Sequence, residues 1–480
     1  MKRGGIIFVA ILLLGLISLL PSYSQVLYDD FSEPYINRDR WKQAEFAREV
    51  DPMSEKLLLK LGTPNPVVIP GYPYNATNEL FFSVNNPVLV NSIRADVTIM
   101  EFNATNDSCI KAKLGGTWYS DGTIGDIGAE IAIKGEPSGL RATWTVVKFL
   151  DEYRTTWRVL GAGDFKTTIS TGTVYTLHIS YNRIINRFFF KIGTEWDWFG
   201  PKGLPRRRGN PNQSIPTKVL STEVQTDDAT SSSYIFATFD NVYKNGTRYD
   251  DFSSSDIDLT KWSVWEQWEM AREISGGYFR SRIKGNSTFP WDPYNGLEFT
   301  NPSSVNLLHA KVTPMSYQNE YGVADVAGYI AGFFYNDGSQ RGGMNGEVEA
   351  RIQVGGRGTA PVAEWEVRKY LNPDGNFVII LGKGVFTIPI ILENNYILFL
   401  GWSGREFVFR IEDVATGAVE EVNFSPTDTI EPPTIPWKEI GTRIYVPYGE
   451  AEIEVLFDDV FVSDTVQSTR EMDVPASDGT

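Results

Sequence analysis

The sequence predicts an all-β protein built from two tandem antiparallel β-sandwich domains. Polar and apolar residues alternate over many short segments, and one series of motifs occurs twice along the chain. No sustained helical period follows the apolar stretch at the N-terminus. Alternation with a period of two places successive side chains on opposite faces of a sheet, which is typical of strands with one face on a core. Two sheets packed face to face bury such strands.

The first 24 residues have the pattern of a secretory signal peptide. Lys2 and Arg3 precede an apolar stretch over residues 6–20, and small serines stand just before Gln25, where we expect cleavage. This apolar stretch is shorter than the roughly 20 residues that span a bilayer, which favours cleavage over a retained anchor. The sequence therefore predicts a secreted protein, extracellular or periplasmic, with no membrane span after cleavage.

Charge and cysteine content narrow the classes of partner and the sources of stability. The formal net charge of −16 argues against nucleic acid or an anionic lipid surface as the partner. Cys109 is the single cysteine, so no internal disulfide can form. A chain of 480 residues with 42% hydrophobic content can instead rely on large cores.

A repeat of about 220 residues organises the chain. The segment YDDFS at residues 28–32 recurs at 249–253, and each copy closes on a similar motif, FDNV or FDDV. Further pairs support this alignment: Trp41 with Trp262, Arg48-Glu49 with Arg272-Glu273, Trp144 with Trp365, and Phe239 with Phe457. This period suits one large β-domain per copy. We expect domains at 26–246 and 247–465 and a disordered polar tail at 466–480.

Individual strands are predicted by alternation and by turn residues. Residues 347–354 place polar side chains on one face and apolar ones on the other, and residues 364–368 do the same. Asp-Gly pairs that begin at Asp121, Asp337 and Asp374 supply the turns that tight hairpins need. These patterns therefore predict a series of β-hairpins in each copy.

The opening YDDFS strand, the following Trp, the alternating strands and the closing FDDV or FDNV together resemble the concanavalin A-like lectin and glucanase superfamily, which includes laminin G-like modules. This resemblance covers both copies nearly end to end. It implies two tandem antiparallel jelly-roll β-sandwich domains. Members include lectins, adhesive modules, glycoside hydrolases and polysaccharide lyases, so the fold alone does not determine the function.

One strand of the second copy resembles the catalytic strand of laminarinase-type glycosidases. Glu347 matches the nucleophile and Glu349 the intervening acid. A retaining mechanism also needs a carboxylic acid that protonates the leaving oxygen. At that position this chain has Arg351 or Ile352, neither of which can donate the proton at neutral pH. We expect no hydrolysis of β-glucans, unless an acid on the adjoining strand, Glu364 or Glu366, replaces it.

The other enzymatic routes have less support. The first copy departs further from the glycosidase pattern, with Gly128 and Glu130 in the matching places. Similarity to alginate lyase-type relatives would imply a catalytic histidine, but His178 and His309 each lie in an apolar alternation that favours a structural role. The sequence therefore favours a non-catalytic protein over an enzyme.

The polar face of two neighbouring strands in the second copy is the main candidate for carbohydrate binding. This face is either a sugar-binding groove or a solvated surface with cross-strand Glu–Arg pairs. The candidate residues on it are Glu347, Glu349, Arg351, Gln353, Glu366, Arg368 and Tyr370.

A cluster of tryptophans supplies a second candidate surface. Trp265 and Trp268 lie in an insertion relative to the first copy and form either an aromatic binding platform or a lid over the sandwich edge. Trp262 is expected in the core, because Trp41 repeats it.

Acidic residues at the ends of each copy suggest a structural Ca²⁺, which prefers oxygen ligands. If the first and last strands of a sandwich are adjacent, Asp30 lies near Asp240 and Asp251 near Asp458. The alternative is that these carboxylates cap turns or face solvent.

These observations favour a secreted, non-catalytic carbohydrate-binding or adhesive protein of the cell surface or extracellular matrix. Its expected partner is a polysaccharide or glycoconjugate, with other surface proteins as a further class. The alternatives are a structural scaffold protein without a glycan ligand and a diverged polysaccharide-degrading glycoside hydrolase.

Overall fold

The computed structural model describes most of the chain between residues 25 and 464. The described ranges are 25–51, 53–63, 74–82, 89–105, 108–121, 126–151, 156–205, 216–226, 232–264, 268–287, 294–339 and 342–464. The predicted signal peptide and the predicted C-terminal tail lie outside these ranges.

The described residues form strands joined by turns, with one 3₁₀ turn at Pro302–Ser304. Strands up to the repeat boundary are β1 (Val26–Asp29), β2 (Phe46–Asp51), β3 (Lys56–Gly62), β4 (Tyr74–Phe82), β5 (Ser92–Asn103), β6 (Ser108–Ser120), β7 (Asp126–Glu136), β8 (Gly139–Phe149), β9 (Trp157–Thr168), β10 (Val174–Asn182), β11 (Arg187–Ile192), β12 (Glu195–Phe199), β13 (Lys218–Thr226) and β14 (Tyr234–Lys244). Strands beyond it are β15 (Thr247–Asp250), β16 (Trp262–Ser263), β17 (Glu269–Ser275), β18 (Tyr278–Asn286), β19 (Tyr294–Glu298), β20 (Leu307–Asn319), β21 (Asp325–Asn336), β22 (Glu347–Gly356), β23 (Val362–Tyr370), β24 (Val378–Val385), β25 (Tyr396–Trp402), β26 (Phe407–Asp413), β27 (Ala418–Phe424), β28 (Lys438–Tyr445) and β29 (Glu450–Ser463). Within these ranges, no helix is long and apolar enough to cross a membrane.

The strands form three antiparallel sheets. A seven-stranded sheet has the order β16-β4-β13-β6-β7-β8-β9, and a six-stranded sheet has the order β19-β28-β21-β22-β23-β24. A sixteen-stranded sheet lies behind both, with the path β12-β11-β10-β5-β14-β3-β2-β17-β18-β29-β20-β25-β26-β27 and with β1 and β15 beside β29 and β14. The predicted fold class, all-β with antiparallel jelly-roll sandwiches, is confirmed.

Two hydrophobic cores lie between these sheets. In the first core, Val97 and Leu59 of the long sheet join Ile131 of the seven-stranded sheet. The second core joins Val312 of the long sheet with Ile352 of the six-stranded sheet. The alternation read from the sequence thus supplies the buried face of each sheet.

The opening segments of the two repeats are exchanged between these cores. Strand β1 pairs with β29, and Trp41 bridges Phe299 in the second core. Strand β15 pairs with β14, and Trp262 pairs with Phe82 in the first core. The repeat boundary falls in the turn of the β14–β15 hairpin, and a domain division at 246/247 stays a prediction.

The YDDFS motif has a structural role that is the same in both copies. The Asp29 carboxylate accepts hydrogen bonds from the Trp41 indole N–H at 2.7 Å and from the backbone N–H of Phe31 at 3.0 Å. Asp250 accepts the corresponding bond from the Trp262 indole at 2.5 Å. The motif therefore anchors the buried tryptophan that follows it, and the prediction that Trp262 belongs to a core agrees with its 1% exposure.

The exchange also corrects the acidic pairs proposed for calcium. Because β1 pairs with β29 and β15 with β14, neither Asp30–Asp240 nor Asp251–Asp458 is brought together by the opening strands. Asp30 instead caps Ser32, Asp251 contacts Arg248, Asp458 contacts Lys311, and Asp240 accepts from Asn241. Among the described residues, no group of three or more His, Cys, Asp or Glu side chains is placed to hold a metal ion.

Candidate functional site

A cavity of about 290 Å³ lies on the outer face of the six-stranded sheet, opposite the face that covers the second core. Its volume is close to the lower end of the range for small-molecule sites, about 300–1,000 Å³. The residues that line it are Tyr294, Glu298, Tyr329, Phe333, Met344, Glu349, Arg351, Arg368, Tyr370, Trp437 and Arg443.

Strand alternation explains how charged side chains come to this face. In β22, Ala350 and Ile352 are in the core, so Glu349 and Arg351 point to the other side. In β28, the core residue Ile444 likewise leaves its neighbour Arg443 on the cavity side. The polar residues are nevertheless buried, because bulky aromatic side chains surround them.

Glu349 is the carboxylate with the most contacts in the cavity wall. Arg368 donates to both of its oxygens, through Nε at 2.9 Å and Nη2 at 3.0 Å, and the Tyr370 hydroxyl donates at 2.6 Å. Burial raises the pKa of Glu349, but the charges of Arg368 and Arg351 outweigh it and hold this pKa below its ordinary value. Glu349 is therefore a fixed, ionised acceptor.

Arg351 is a buried cation with little compensation. Its side chain is 5% exposed, and its contact with a carboxylate is a 3.3 Å bond from Nη2 to Glu366. The Nε atom is buried without a hydrogen-bond partner among the described residues. Burial lowers the pKa of Arg351, and the neighbouring charges of Arg443 and Arg368 lower it further, which outweighs the opposing effect of Glu349 and Glu366. Such a donor is costly to leave unpaired.

Glu439 is bonded to Tyr329, a residue that lines the cavity, and it differs from Glu349 in its protonation state. Its Oε1 accepts a hydrogen bond from Tyr329 at 2.8 Å, and its buried Oε2 has no partner among the described residues. Burial raises the pKa of Glu439 to about 8, so this carboxyl is protonated at neutral pH. It therefore adds no negative charge to the site.

Aromatic rings form the apolar part of the cavity wall. Phe333 packs against Trp437 at 5.2 Å and against Tyr370 at 5.5 Å between ring centroids. Tyr294 stands at the rim with 59% of its surface exposed. An exposed and a half-buried ring, Tyr294 and Trp437, beside buried charges fit a ligand with both apolar and polar faces.

The start of the chain holds one wall of this cavity. Glu298 of β19 accepts from Lys42 Nζ at 3.1 Å and from Gln43 Nε2 at 3.0 Å, while its backbone N–H donates to Gln43 Oε1 at 2.6 Å. The segment that follows Trp41 thus fixes a residue of the second repeat.

The structure brings together four of the seven residues predicted on the polar face. Glu349, Arg351, Arg368 and Tyr370 line the cavity. Gln353 and Glu366 do not line it: Gln353 donates to Glu364 at 3.0 Å, and Glu366 contacts Arg351.

Glu347, the residue matched to a glycosidase nucleophile, is buried away from the cavity. Its Oε1 accepts from the backbone N–H of Thr434 at 2.7 Å and from Asn336 Nδ2 at 3.1 Å. These bonds attach the segment before β28 to the first residue of β22. In this structure the side chain supports a loop.

The tryptophan platform has no support in the described residues. Trp268 is 5% exposed and belongs to the first core, so its ring is not available to a ligand. Trp265 lies outside the described residues.

Strand register shows what the first repeat has at the same positions. Ile131 pairs with Trp144 as Ile352 pairs with Trp365. The counterparts of Glu349 and Arg351 are therefore Gly128 and Glu130. The alignment from sequence, which matched these two residues to Glu347 and Glu349, is therefore wrong by two residues.

In the first repeat the polar groups neutralise one another. Lys111 lies 3.1 Å from Glu130 and 3.4 Å from Glu223, and Lys113 contacts both of the same carboxylates. Burial raises the pKa of Glu223, but these lysines outweigh it and lower the pKa to about 2. Two cations and two anions thus form a closed cluster, in contrast to Arg351.

Several cavity residues were missed by sequence reasoning: Tyr294, Glu298, Tyr329, Phe333, Met344, Trp437 and Arg443. A signal existed in and just before β28, where Trp437, Glu439 and Arg443 keep the alternation that predicts an outer face. Which strands join β22 in its sheet is not encoded locally, because β28 pairs with β21 from about a hundred residues away along the chain. The two histidines lie elsewhere: Ser92 contacts His178, and Phe461 packs on His309.

Comparisons with known proteins do not assign this chain to a family. No protein-family model matches the chain, and no curated protein matches it. A search of solved structures finds, among others, the LG1-3 region of the laminin α2 chain, at 7% sequence identity and a TM-score of 0.21. The match covers 81% of this chain and 68% of that one.

Proposed function

We propose that the protein is a non-catalytic carbohydrate-binding module of the extracellular space, and that the cavity on the six-stranded sheet is its glycan site. The observation that carries this proposal is the combination of rings and fixed polar groups in one cavity. Tyr294 and the half-buried Trp437 offer ring surfaces for the C–H face of a sugar, and Glu349 offers a fixed acceptor for its hydroxyl groups.

The first repeat supports the assignment by contrast. Its equivalent face carries the closed cluster of Lys111, Lys113, Glu130 and Glu223, in which each charged group has two partners of opposite charge. A ligand there would have to break ion pairs. We therefore expect one glycan site per chain, in the second repeat.

The proposal is tested by calorimetric titration of the full mature chain with a panel of neutral and acidic oligosaccharides. Trp437→Ala should weaken binding about thirtyfold, since a central Trp at an interface is commonly worth about 2 kcal/mol. Trp157→Ala is the matched control, because Trp157 is 50% exposed in β9 of the first repeat. Equal losses in both variants, or no binding of any oligosaccharide by the wild type, would contradict the proposal.

A scaffold protein without a glycan ligand is the competing function, and absence of binding across the panel favours it. Reducing-sugar release from β-glucans would favour the hydrolase instead. We expect none.

A further inference from the structure

The cations and the carboxylates of the cavity wall differ in how fully they are paired with hydrogen-bond partners. Three guanidinium groups line it, those of Arg351, Arg368 and Arg443, together with two carboxylates, those of Glu298 and Glu349. Both carboxylates already accept several hydrogen bonds from fixed donors. A buried atom without a hydrogen-bond partner is therefore found, among the described residues, on a guanidinium group of this wall and not on either carboxylate.

Arg351 lies at the centre of this imbalance. Its Nε–H is buried in the cavity wall without a partner among the described residues, and its bond to Glu366 uses a different nitrogen. Arg368 pairs with Glu349 at 2.7 Å and Arg443 with Asp325 at 3.0 Å. The contact of Arg351 with Glu366 is the longest of the three, at 3.3 Å. A guanidinium fork presents adjacent N–H groups that match the two oxygens of a carboxylate.

The neighbouring protonated carboxyl strengthens the same conclusion. Glu439 is neutral at physiological pH and does not offset the arginine charges. An incoming anion therefore meets no uncompensated negative charge on this wall.

Resting on the proposed glycan site, we infer that its ligand is an acidic sugar, a uronate whose carboxylate binds Arg351. The aromatic wall packs on the ring of this uronate, and the Arg351 guanidinium pairs with its carboxylate. Specificity for acidic over neutral glycans then resides in Arg351, which Glu130 replaces in the first repeat.

The test compares each uronate with its own neutral analogue. The wild-type chain is titrated with trimers of α-1,4-galacturonate, β-1,4-mannuronate and β-1,4-glucuronate, and with the carboxyl-reduced form of each trimer. At least one acidic trimer should bind roughly ten- to a hundredfold more tightly than its reduced form, the range for a charge-assisted hydrogen bond to a buried group.

Equal affinity for acidic and reduced trimers would overturn the inference while leaving the proposed glycan site intact. Binding of neither form, nor of any other oligosaccharide, would remove the proposed function itself. A sulfated neutral trimer is a third arm, and tight binding of it with none of the uronates would show that the site selects sulfate esters rather than carboxylates.

A variant pair assigns the preference to one side chain. Arg351→Gln should reduce the acid-to-neutral preference, measured as the ratio of the two affinities within the variant, to near unity. Arg410→Gln is the control, because it removes the same charge from a half-buried pair with Glu412 on the long sheet, outside the cavity. If Arg351→Gln does not fold, the comparison of acidic and reduced trimers on the wild type still decides. A full preference in a folded Arg351→Gln protein would refute the role of this residue.

Discussion

Glu439 should give the protein a pH-dependent stability that a single substitution removes. The pKa of Glu439 rises from an ordinary 4.5 to about 8 on folding because its carboxyl is buried. The folded state therefore holds a proton that the unfolded state releases between these values. Stability contributed by this group falls as pH rises through that window, by at most about 1.4 kcal/mol per pH unit.

The measurement is the difference in unfolding free energy between Glu439→Gln and the wild type from pH 4 to 9. The free energy of unfolding of the variant should rise relative to that of the wild type between about pH 4.5 and 8. Above pH 8 the difference should stay constant. Lys438, whose pKa burial lowers to about 7, favours the folded state as pH rises above neutrality, but it is present in both proteins and cancels. A difference that does not change with pH would contradict the assignment.

At the scale of residues, the sequence predicted the polar face but not which of its members face a ligand. Alternation correctly placed Glu349 and Arg351 on one side of their strand. The same alternation also placed Glu347 there, and it cannot show that the segment around Thr434 covers this carboxylate. Burial by a distant loop depends on tertiary contacts, and a local sequence pattern does not report on tertiary contacts.

At the scale of elements, the exchanged opening segments make the two tryptophans a test of the topology. Trp41→Ala should cost about 3–5 kcal/mol, because the ring is fully buried in the second core. Hydrogen exchange should show the loss of protection in β19 and β28, and not in β4 and β13. Trp262→Ala should produce the reverse pattern. Deprotection of β4 and β13 by Trp41→Ala would contradict the exchange.

Strand identities were predictable from the sequence, whereas strand partners at the ends of the repeats were not. Both copies open on YDDFS and close on FDNV or FDDV, so each opening strand fits either closing strand equally well by its local pattern. The short connection between β14 and β15 determines which closing strand is used, because it folds β15 back onto β14 as a hairpin. Asn245 and Gly246 have φ of 50° and 83°, the left-handed pair that a tight hairpin requires.

At the scale of the whole molecule, ion pairs cross the seam where β2 meets β17 in the continuous sheet. Glu49 accepts from Arg280 at 2.5 and 2.9 Å and from Arg282 at 2.8 Å, so one carboxylate of the first repeat bonds to two cations of the second. Lys60 contacts Glu273 across the same seam at 3.2 Å. Breaking such buried contacts is expensive, because the remaining charges stay buried.

Glu49→Gln should therefore lower the free energy of unfolding by about 3–5 kcal/mol and weaken the cooperativity between the two halves. Differential scanning calorimetry should show one transition for the wild type and a broadened or split transition for the variant. Glu454→Gln is the control, because Glu454 contacts Arg280 and Arg282 from within the second repeat. A variant that melts as the wild type does would show that the seam is held by backbone pairing alone.

The pairing of β1 with β29 has a consequence for the order of the chain. Val26 lies opposite Val462, so the two ends of the described fold are neighbours in one sheet. A short linker between them would close the chain into a ring. Opening that ring at the Asn245–Gly246 turn would yield a circular permutant that starts at β15 and ends at β14, with all strand pairs retained. Its topology diagram would match that of the original, with each repeat in the place of the other.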